Sequence, residues 1–359
     1  MTQYTNFRVS EMWLESGGFL RVDLNNVLIF CGLKRSNSEA SKVSENLDFS
    51  ICYSDYYGSE VQSLTANQTF LINNQEFIAS LKEIQSQNPS TLSRANFRLP
   101  SAEKFKESFQ HILGKIQRAE IEKAVPMVTA YAEKKPTTGD KMNWILNFME
   151  TSDLLIPFGL WMGSDGILGA TPEILFDYKN GIISTVALAG TCPKSEAHLR
   201  PALNKDEKEL LEHQMVIDDL RFVLSKLGAV QQEPTQVIEL PTLFHLKTNL
   251  KVETRNVNVF DLTKKFHPTP ALGVSPRNYG FHWMKSLPYQ SDRNVFGAPI
   301  CFNLGRENYK TVVAIRSIRW DTEGTKISAG CGLVKDSQFD REWTELLSKI
   351  ESVYSMAGL

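Results

Sequence analysis

Two pairs of carboxylates hold most of the chemistry available to this chain. Glu209 and Glu212 stand three residues apart, as do Glu342 and Glu345 in Asp340-Arg341-Glu342-Trp343-Thr344-Glu345, with Lys349 one turn beyond. In a helix, residues three apart share a face, so each pair can point one way. Four carboxylates offered by two helices form a concentrated set of hard oxygen ligands. Such a set suits Mg²⁺, which can in turn hold an anionic substrate. Taken singly, each pair reads as a solvated helix face, and Glu345 with Lys349 as an ordinary surface ion pair worth roughly a few tenths of a kcal/mol. Glu173, in Thr171-Pro172-Glu173, adds a further acid, with Gly190 seventeen residues on in Leu188-Ala189-Gly190-Thr191.

These residues need elements to position them. Phe105, Phe109, Ile112 and Ile116 recur at helical spacing after Ser101, and a second helix is expected over 141–149. A long helix is expected over 203–227, with Leu210, Leu211, Met215, Ile217 and Leu220 on its apolar side, and a last one over 339–354. Short strands are expected at 158–163 and 167–171, joined around Asp165-Gly166, and two more flank Asn180-Gly181, a strong hairpin signal. Further strands fall at 237–240 and 245–252, and a hairpin pairs 311–320 with 326–333 through a turn at 321–324. Runs of hairpin strands separated by long helices predict an α+β fold, with large, mostly antiparallel sheets flanked by helices. No stretch reads as a linker, so one domain over 1–359 is expected: residues 1–100 are the least readable part, and 101–359 carry the motifs.

A formal net charge of −2 with 22% charged residues offers no broad basic field for nucleic acid or anionic lipid. Five scattered cysteines, odd in number and never in a CxxC pair, argue against a disulfide framework or structural zinc and for a reducing cytoplasm. The polar N-terminal segment has no charged-then-apolar leader, and the longest apolar run, at 27–33, is too short to span a bilayer.

The C-terminal third supplies context for the acids. His267-Pro268-Thr269-Pro270-Ala271-Leu272-Gly273 is followed by Phe296-Gly297-Ala298-Pro299, Val313-Ala314-Ile315-Arg316-Ser317 and Ser328-Ala329-Gly330-Cys331-Gly332-Leu333-Val334, then by Glu342-Trp343 and Lys349. From about residue 100 to the end, this series resembles the chorismate-utilising enzymes. That family includes isochorismate synthase, salicylate synthase, and component I of anthranilate and aminodeoxychorismate synthases.

The resemblance implies an anthranilate synthase component I-like fold, with chorismate as substrate and Mg²⁺ as cofactor. Glu212 and Glu345 match the principal metal ligands, and Glu209 and Glu342 their partners. Arg316 matches the arginine that clamps a substrate carboxylate, Lys349 a second cationic contact, and His245 the active-site histidine. Thr191, Ala271 and Gly330 fall within substrate-binding motifs, and Gly190 and Gly332 match glycines that let backbone approach the ligand. Physically, Mg²⁺, Arg316 and Lys349 reverse the sign of a pocket that would otherwise repel a dicarboxylate.

Two positions bear on the reaction. Ala189 stands where aminodeoxychorismate synthases resemble one another in carrying a nucleophilic lysine, so that chemistry is disfavoured. Lys123, in Glu122-Lys123-Ala124-Val125, resembles the base lysine of isochorismate and salicylate synthases and lies fifty residues before Glu173. The implied assignment is Lys123 as general base and Glu173 as general acid, with isochorismate as product. Salicylate synthase is the runner-up, although Ala271-Leu272 resembles the dedicated isochorismate synthases. Anthranilate synthase and a non-catalytic chorismate binder follow. The product would serve menaquinone or siderophore synthesis, and a monomer without an amidotransferase subunit is expected. The chain departs from the family pattern at Pro126, Cys192, Val274, Cys301 and Cys331, and its N-terminal part is short.

Overall fold

A computed structural model of the chain describes residues 7–36, 49–59, 61–86, 88–193, 203–239, 243–254, 257–305 and 307–359. Among these residues it is an α+β structure built on one sixteen-stranded sheet in which every pairing is antiparallel. The strands of the first hundred residues, Ser16–Arg21, Asn26–Arg35, Ser50–Ser54 and Val61–Asn73, lie in the middle of the sheet order. On one side of them follow Ile156–Met162, Asp165–Thr171, Ser317–Trp320, Thr325–Gly330 and Met127–Ala132. On the other lie Pro299–Asn303, Asn308–Val313, Ile174–Lys179, Ile182–Pro193 and Leu243–Glu253.

The sheet curls on itself. Phe30 and Phe302 sit three strand positions apart, roughly 14 Å along the hydrogen-bonding direction, yet their ring centroids are 6.1 Å apart. Between the facing layers, Leu20, Leu28, Ile51, Leu160, Ile300 and Val312 form a buried core. Two further cores lie under helices. One packs Ala102–Gln117, Thr138–Met149 and Phe339–Ala357 over Phe19, Trp161 and Ile318; the other packs Glu207–Leu224 and Val259–Phe266 over Phe176, Ile183 and Leu250.

The helical spacing after Ser101 is realised in Ala102–Gln117, with Phe105, Phe109, Ile112 and Ile116 buried and the Ser101 hydroxyl accepting from Lys104 N. Thr138–Met149 begins earlier than the expected 141, because Thr137 and Asp140 cap each other reciprocally. Other expectations shift. The strands expected at 158–163 and 167–171 are Ile156–Met162 and Asp165–Thr171, and the turn falls at Gly163-Ser164, where Gly163 has φ +61°. The expected strand 237–240 is Gln236–Glu239, and residue 240 lies outside the described residues.

The expected strand 311–320 does not exist as one element. Asn308–Val313 pairs with Ile174–Lys179, then Ala314-Ile315-Arg316 breaks the ladder, and Ser317–Trp320 pairs with Asp165–Thr171. Arg316 takes a left-handed φ of +51°, so the chain leaves one arm of the sheet and enters the other at that residue. Its strand partner is also shorter than the expected 326–333, ending at Gly330.

Candidate active site

One cavity gathers much of the chemistry expected from the sequence. Its lining includes Glu173, Thr191, Glu212, His245, Ala271, Arg316, Gly330, Gly332, Glu345 and Lys349. It lies where the two arms of the sheet meet helices Glu207–Leu224 and Phe339–Ala357.

Helix Glu207–Leu224 is capped by Asp206, whose carboxylate accepts from Glu209 N; it therefore starts four residues after the expected 203. Its buried residues are His213, Val216, Ile217, Leu220, Val223 and Leu224, whereas Leu210 and Leu211 are exposed. The apolar side expected through Leu210 and Leu211 is therefore misplaced. Glu209 and Glu212 share the inward face with Val216 and Leu220, and leucines are left in solvent. This inverts the usual pattern, in which charge faces water.

The acids are held by lysines. Lys123 is fully buried, and its Nζ donates to Glu212 Oε1 at 2.7 Å. Lys349 Nζ lies 2.6 Å from Glu345 Oε1 and donates to Gly330 O at 2.8 Å. Lys208 bridges the two helices, with Nζ 3.2 Å from Glu342 Oε1 and 3.5 Å from Glu209 Oε1. Glu209 Oε2 also accepts from Thr191 N at 2.6 Å. Burial lowers the Lys208 ammonium, but Glu342 and Glu209 outweigh it, so the net shift is upward. Burial, then Glu212, pushes Glu209 up to about 7. Burial and Glu345 raise Glu342, whereas for Glu345 the penalty of burial is overcome by Lys349 and the shift is downward.

Among the described residues, no three acidic, histidine or cysteine side chains converge tightly enough to ligate one ion as they stand. The donor set nevertheless fits a hard cation. Glu212 and Glu345 raise Glu209, Glu345 raises Glu342, and Glu342 Oε2 is buried with no hydrogen-bond partner among the described residues. Lys208 supplies positive charge between Glu209 and Glu342. Sequence alone does not single it out, because a lysine adjacent to Glu209 reads as ordinary surface pairing.

Glu173 follows strand Asp165–Thr171 in a tight corner, where its N–H donates to Thr171 Oγ1 at 3.1 Å. It is buried, and burial pushes its carboxyl up to about 7 against the pull of Lys123 and Lys349. His245 pairs in register with Thr191, with Nδ1 and Thr191 Oγ1 3.1 Å apart. Burial, then Arg316 and Lys349, lowers it to about 3, so it is a neutral imidazole near pH 7. Burial lowers Arg316 to about 10. Its guanidinium donates to Lys349 O at 3.4 Å and remains a cation on the cavity wall.

The two glycines differ in what they admit. A Cβ on Gly332 would meet Glu212 Oε1 at 2.6 Å and Lys123 Cε at 2.7 Å, so this glycine makes room for the buried ion pair beside the cavity. Gly190 does not line the cavity. At φ +79° it forms the bulge between Ala189 and Thr191, and a Cβ there would strike Glu209 O at 2.8 Å. It lets a helix approach the sheet rather than a ligand. Glu209 and Glu342 likewise stand behind the cavity wall, not on it.

Pro126 also finds its explanation. Lys123–Ala124 pairs with Val274–Ser275 in a separate two-stranded ladder, and the large sheet resumes at Met127. The proline occupies the break, where its missing N–H costs no ladder bond.

The family described as "Chorismate binding enzyme" matches residues 52–358 of this chain. The chain belongs to that family. Isochorismate synthase MenF of Bacillus subtilis (strain 168) is 31% identical over 199 residues, which are 53% of this chain and 42% of that protein. The vibriobactin-specific isochorismate synthase of Vibrio cholerae is 26% identical over 289 residues, 76% of this chain and 71% of that protein. In fold, the solved structure of MenF, the menaquinone-specific isochorismate synthase from Escherichia coli, superposes with a TM-score of 0.80 at 16% identity, over 99% of this chain and 90% of that one. The chain thus spans less than half the length of the Bacillus relative. Among the described residues no helix is long and apolar enough to cross a membrane.

Proposed function

We propose that this chain is an isochorismate synthase that converts chorismate to isochorismate. The observation that carries the reading is a buried acid on the cavity wall, raised to about 7, in the field of Lys123, which is fully buried behind that wall on Glu212. Arg316 and Lys349 stand ready for substrate carboxylates on the same wall.

Lys123 acts as general base, taking a proton from the water that attacks C2 of chorismate. For that role its Nζ must leave the Glu212 hydrogen bond and stand neutral. As the C2–O bond forms, the ring double bonds shift and the C4–O bond breaks. Glu173, protonated near neutrality, gives its proton to the departing hydroxyl, which leaves as water. Arg316 orients a carboxylate, and neutral His245 supplies a hydrogen-bonding edge held by Thr191. Glu212 and Glu345, backed by Glu209 and Glu342, would hold Mg²⁺, which when bound supplies positive charge for a substrate carboxylate. Ala189 offers no amine where a nucleophilic lysine would attack the ring. The chain would work as a cytoplasmic monomer without an amidotransferase subunit, feeding menaquinone or siderophore synthesis.

Incubating purified protein with chorismate and Mg²⁺ tests this. Isochorismate that disappears on chelation is the expected product. Salicylate with pyruvate would reassign the chain to salicylate synthase, and anthranilate formed only with ammonia to anthranilate synthase. Ligand-dependent stabilisation without turnover would make it a binder.

A further inference from the structure

Arg293 is fully buried, yet among the described residues it faces no carboxylate. A bare buried guanidinium is costly unless its donors are satisfied. Here its fork reaches three carbonyls: Val125 O at 2.9 Å, Leu272 O at 2.9 Å and Phe296 O at 3.4 Å. The guanidinium also lies 3.5 Å over the ring of Tyr56, whose hydroxyl donates to the same Leu272 O at 2.7 Å. Gln290, buried beside it, accepts from Arg293 Nη1 at 3.4 Å. Its amide then meets Met127 as a strand would, donating to Met127 O at 2.9 Å and accepting from Met127 N at 3.4 Å.

Two of these residues line the cavity, and the other two adjoin residues of the site. Val125 follows Lys123 by two residues and lies in the Pro126 break. Met127 pairs with Gly330, whose carbonyl receives Lys349. Leu272 and Phe296 line the cavity directly. We infer that Arg293, with Gln290, is a positioning residue that locks the segments carrying Lys123, Leu272, Phe296 and Gly330 into one rigid wall, and so sets the placement of the base. The planar fork is what makes this possible. A lysine keeps the charge but offers a single nitrogen that cannot reach three divergent carbonyls.

The test compares wild type with Arg293→Lys. The kinetic arm rests on the chorismate reading, so backbone hydrogen exchange is measured in parallel and needs no substrate. The expected result is a fall in kcat of about 100-fold with KM changed less than about threefold, the scale of an ångström of misplacement. Exchange should quicken at 123–127, 269–273 and 330–333, but not in the Ile182–Pro193 strand. Wild-type kcat in a folded Arg293→Lys protein, or a lowered melting temperature with kcat intact, would overturn the inference. If that variant does not fold, Tyr56→Phe and Gln290→Leu each remove one tie. Both are expected to lose several-fold in kcat with local exchange quickened, and wild-type values in both would overturn it equally. Loss of exchange protection in a variant whose wild type turns over no chorismate would sink the function while leaving the clamp.

Discussion

Asp140 and Glu173 are both buried carboxyl groups, and the molecule treats them in opposite ways. Asp140 is surrounded by neutral donors: Ser90 Oγ, Thr91 N and Oγ1, Leu92 N, and Thr137 N and Oγ1 all donate to it. Burial alone would raise it, but these donors prevail and bring it down to about 2. Glu173 has lysines in its field but no such ring of donors, and burial wins, pushing it up to about 7. The lesson is that burial does not mark an active acid. What marks one is burial left uncompensated, because that keeps a proton available at the pH where chemistry is done.

Replacement by the isosteric amide should separate the two sites most sharply. Glu173→Gln is expected to lower kcat about 1000-fold, the scale of a lost general acid, without loss of stability in a urea titration, since it removes a charge that folding disfavours. Preserved turnover would remove Glu173 from the mechanism. Asp140→Asn should do the reverse. It places an amide among donors and is expected to cost about 3 kcal/mol, with kcat per folded molecule unchanged.

The pH dependences should also diverge. As the proposed general acid, Glu173 would have to be protonated, so kcat should fall as pH rises through about 7, approaching tenfold per unit. In stability the signs oppose. The folded value of Glu173 lies above its unfolded one, so its contribution is fully present below the ordinary carboxyl range and is lost as pH rises towards about 7. The folded value of Asp140 lies below, so its contribution is present above that range and lost as pH falls towards about 2. Urea midpoints of wild type and the two amide variants across pH would expose this, and parallel curves would refute it.

The smallest effect is expected at Lys208, which stands between the extremes as a counterion inside the acidic set. Lys208 keeps a quarter of its side chain in solvent, so Lys208→Met should destabilise the metal-free protein by about 1 kcal/mol, and added Mg²⁺ should restore more stability to it than to wild type. Equal stabilisation by Mg²⁺ in both would show that Lys208 and the ion do not share a role.

Helices were legible where one face is apolar, as in Phe105, Phe109, Ile112 and Ile116. Helix Glu207–Leu224 departs from its apolar pattern on its first turns because the site draws Glu209 and Glu212 inward and leaves Leu211 in water. The early strands were opaque for another reason: Asn26–Arg35 is buried on both faces along most of its length, so the alternation that reveals a strand is absent. Nothing in Val313-Ala314-Ile315-Arg316 warns of a break, since its residues suit a strand and only the change of partner strands forces the left-handed turn. The acids, Arg316 and Lys349 were legible as a series. Lys208, Gln290 and Arg293 were not, because a cation beside acids reads as surface pairing, and isolated polar residues in irregular chain carry no period.

The four strands that come first in chain order among the described residues finish in the centre of the sheet. Ser16–Arg21 pairs on one edge with Ile156–Met162, and Ser50–Ser54 pairs with Pro299–Asn303. On the ribosome, therefore, this four-strand ribbon must wait with open edges for partners that emerge much later. A nascent chain of this architecture thus keeps an open edge until Pro299–Asn303 has been made, well after Lys123 and Glu173 have left the ribosome.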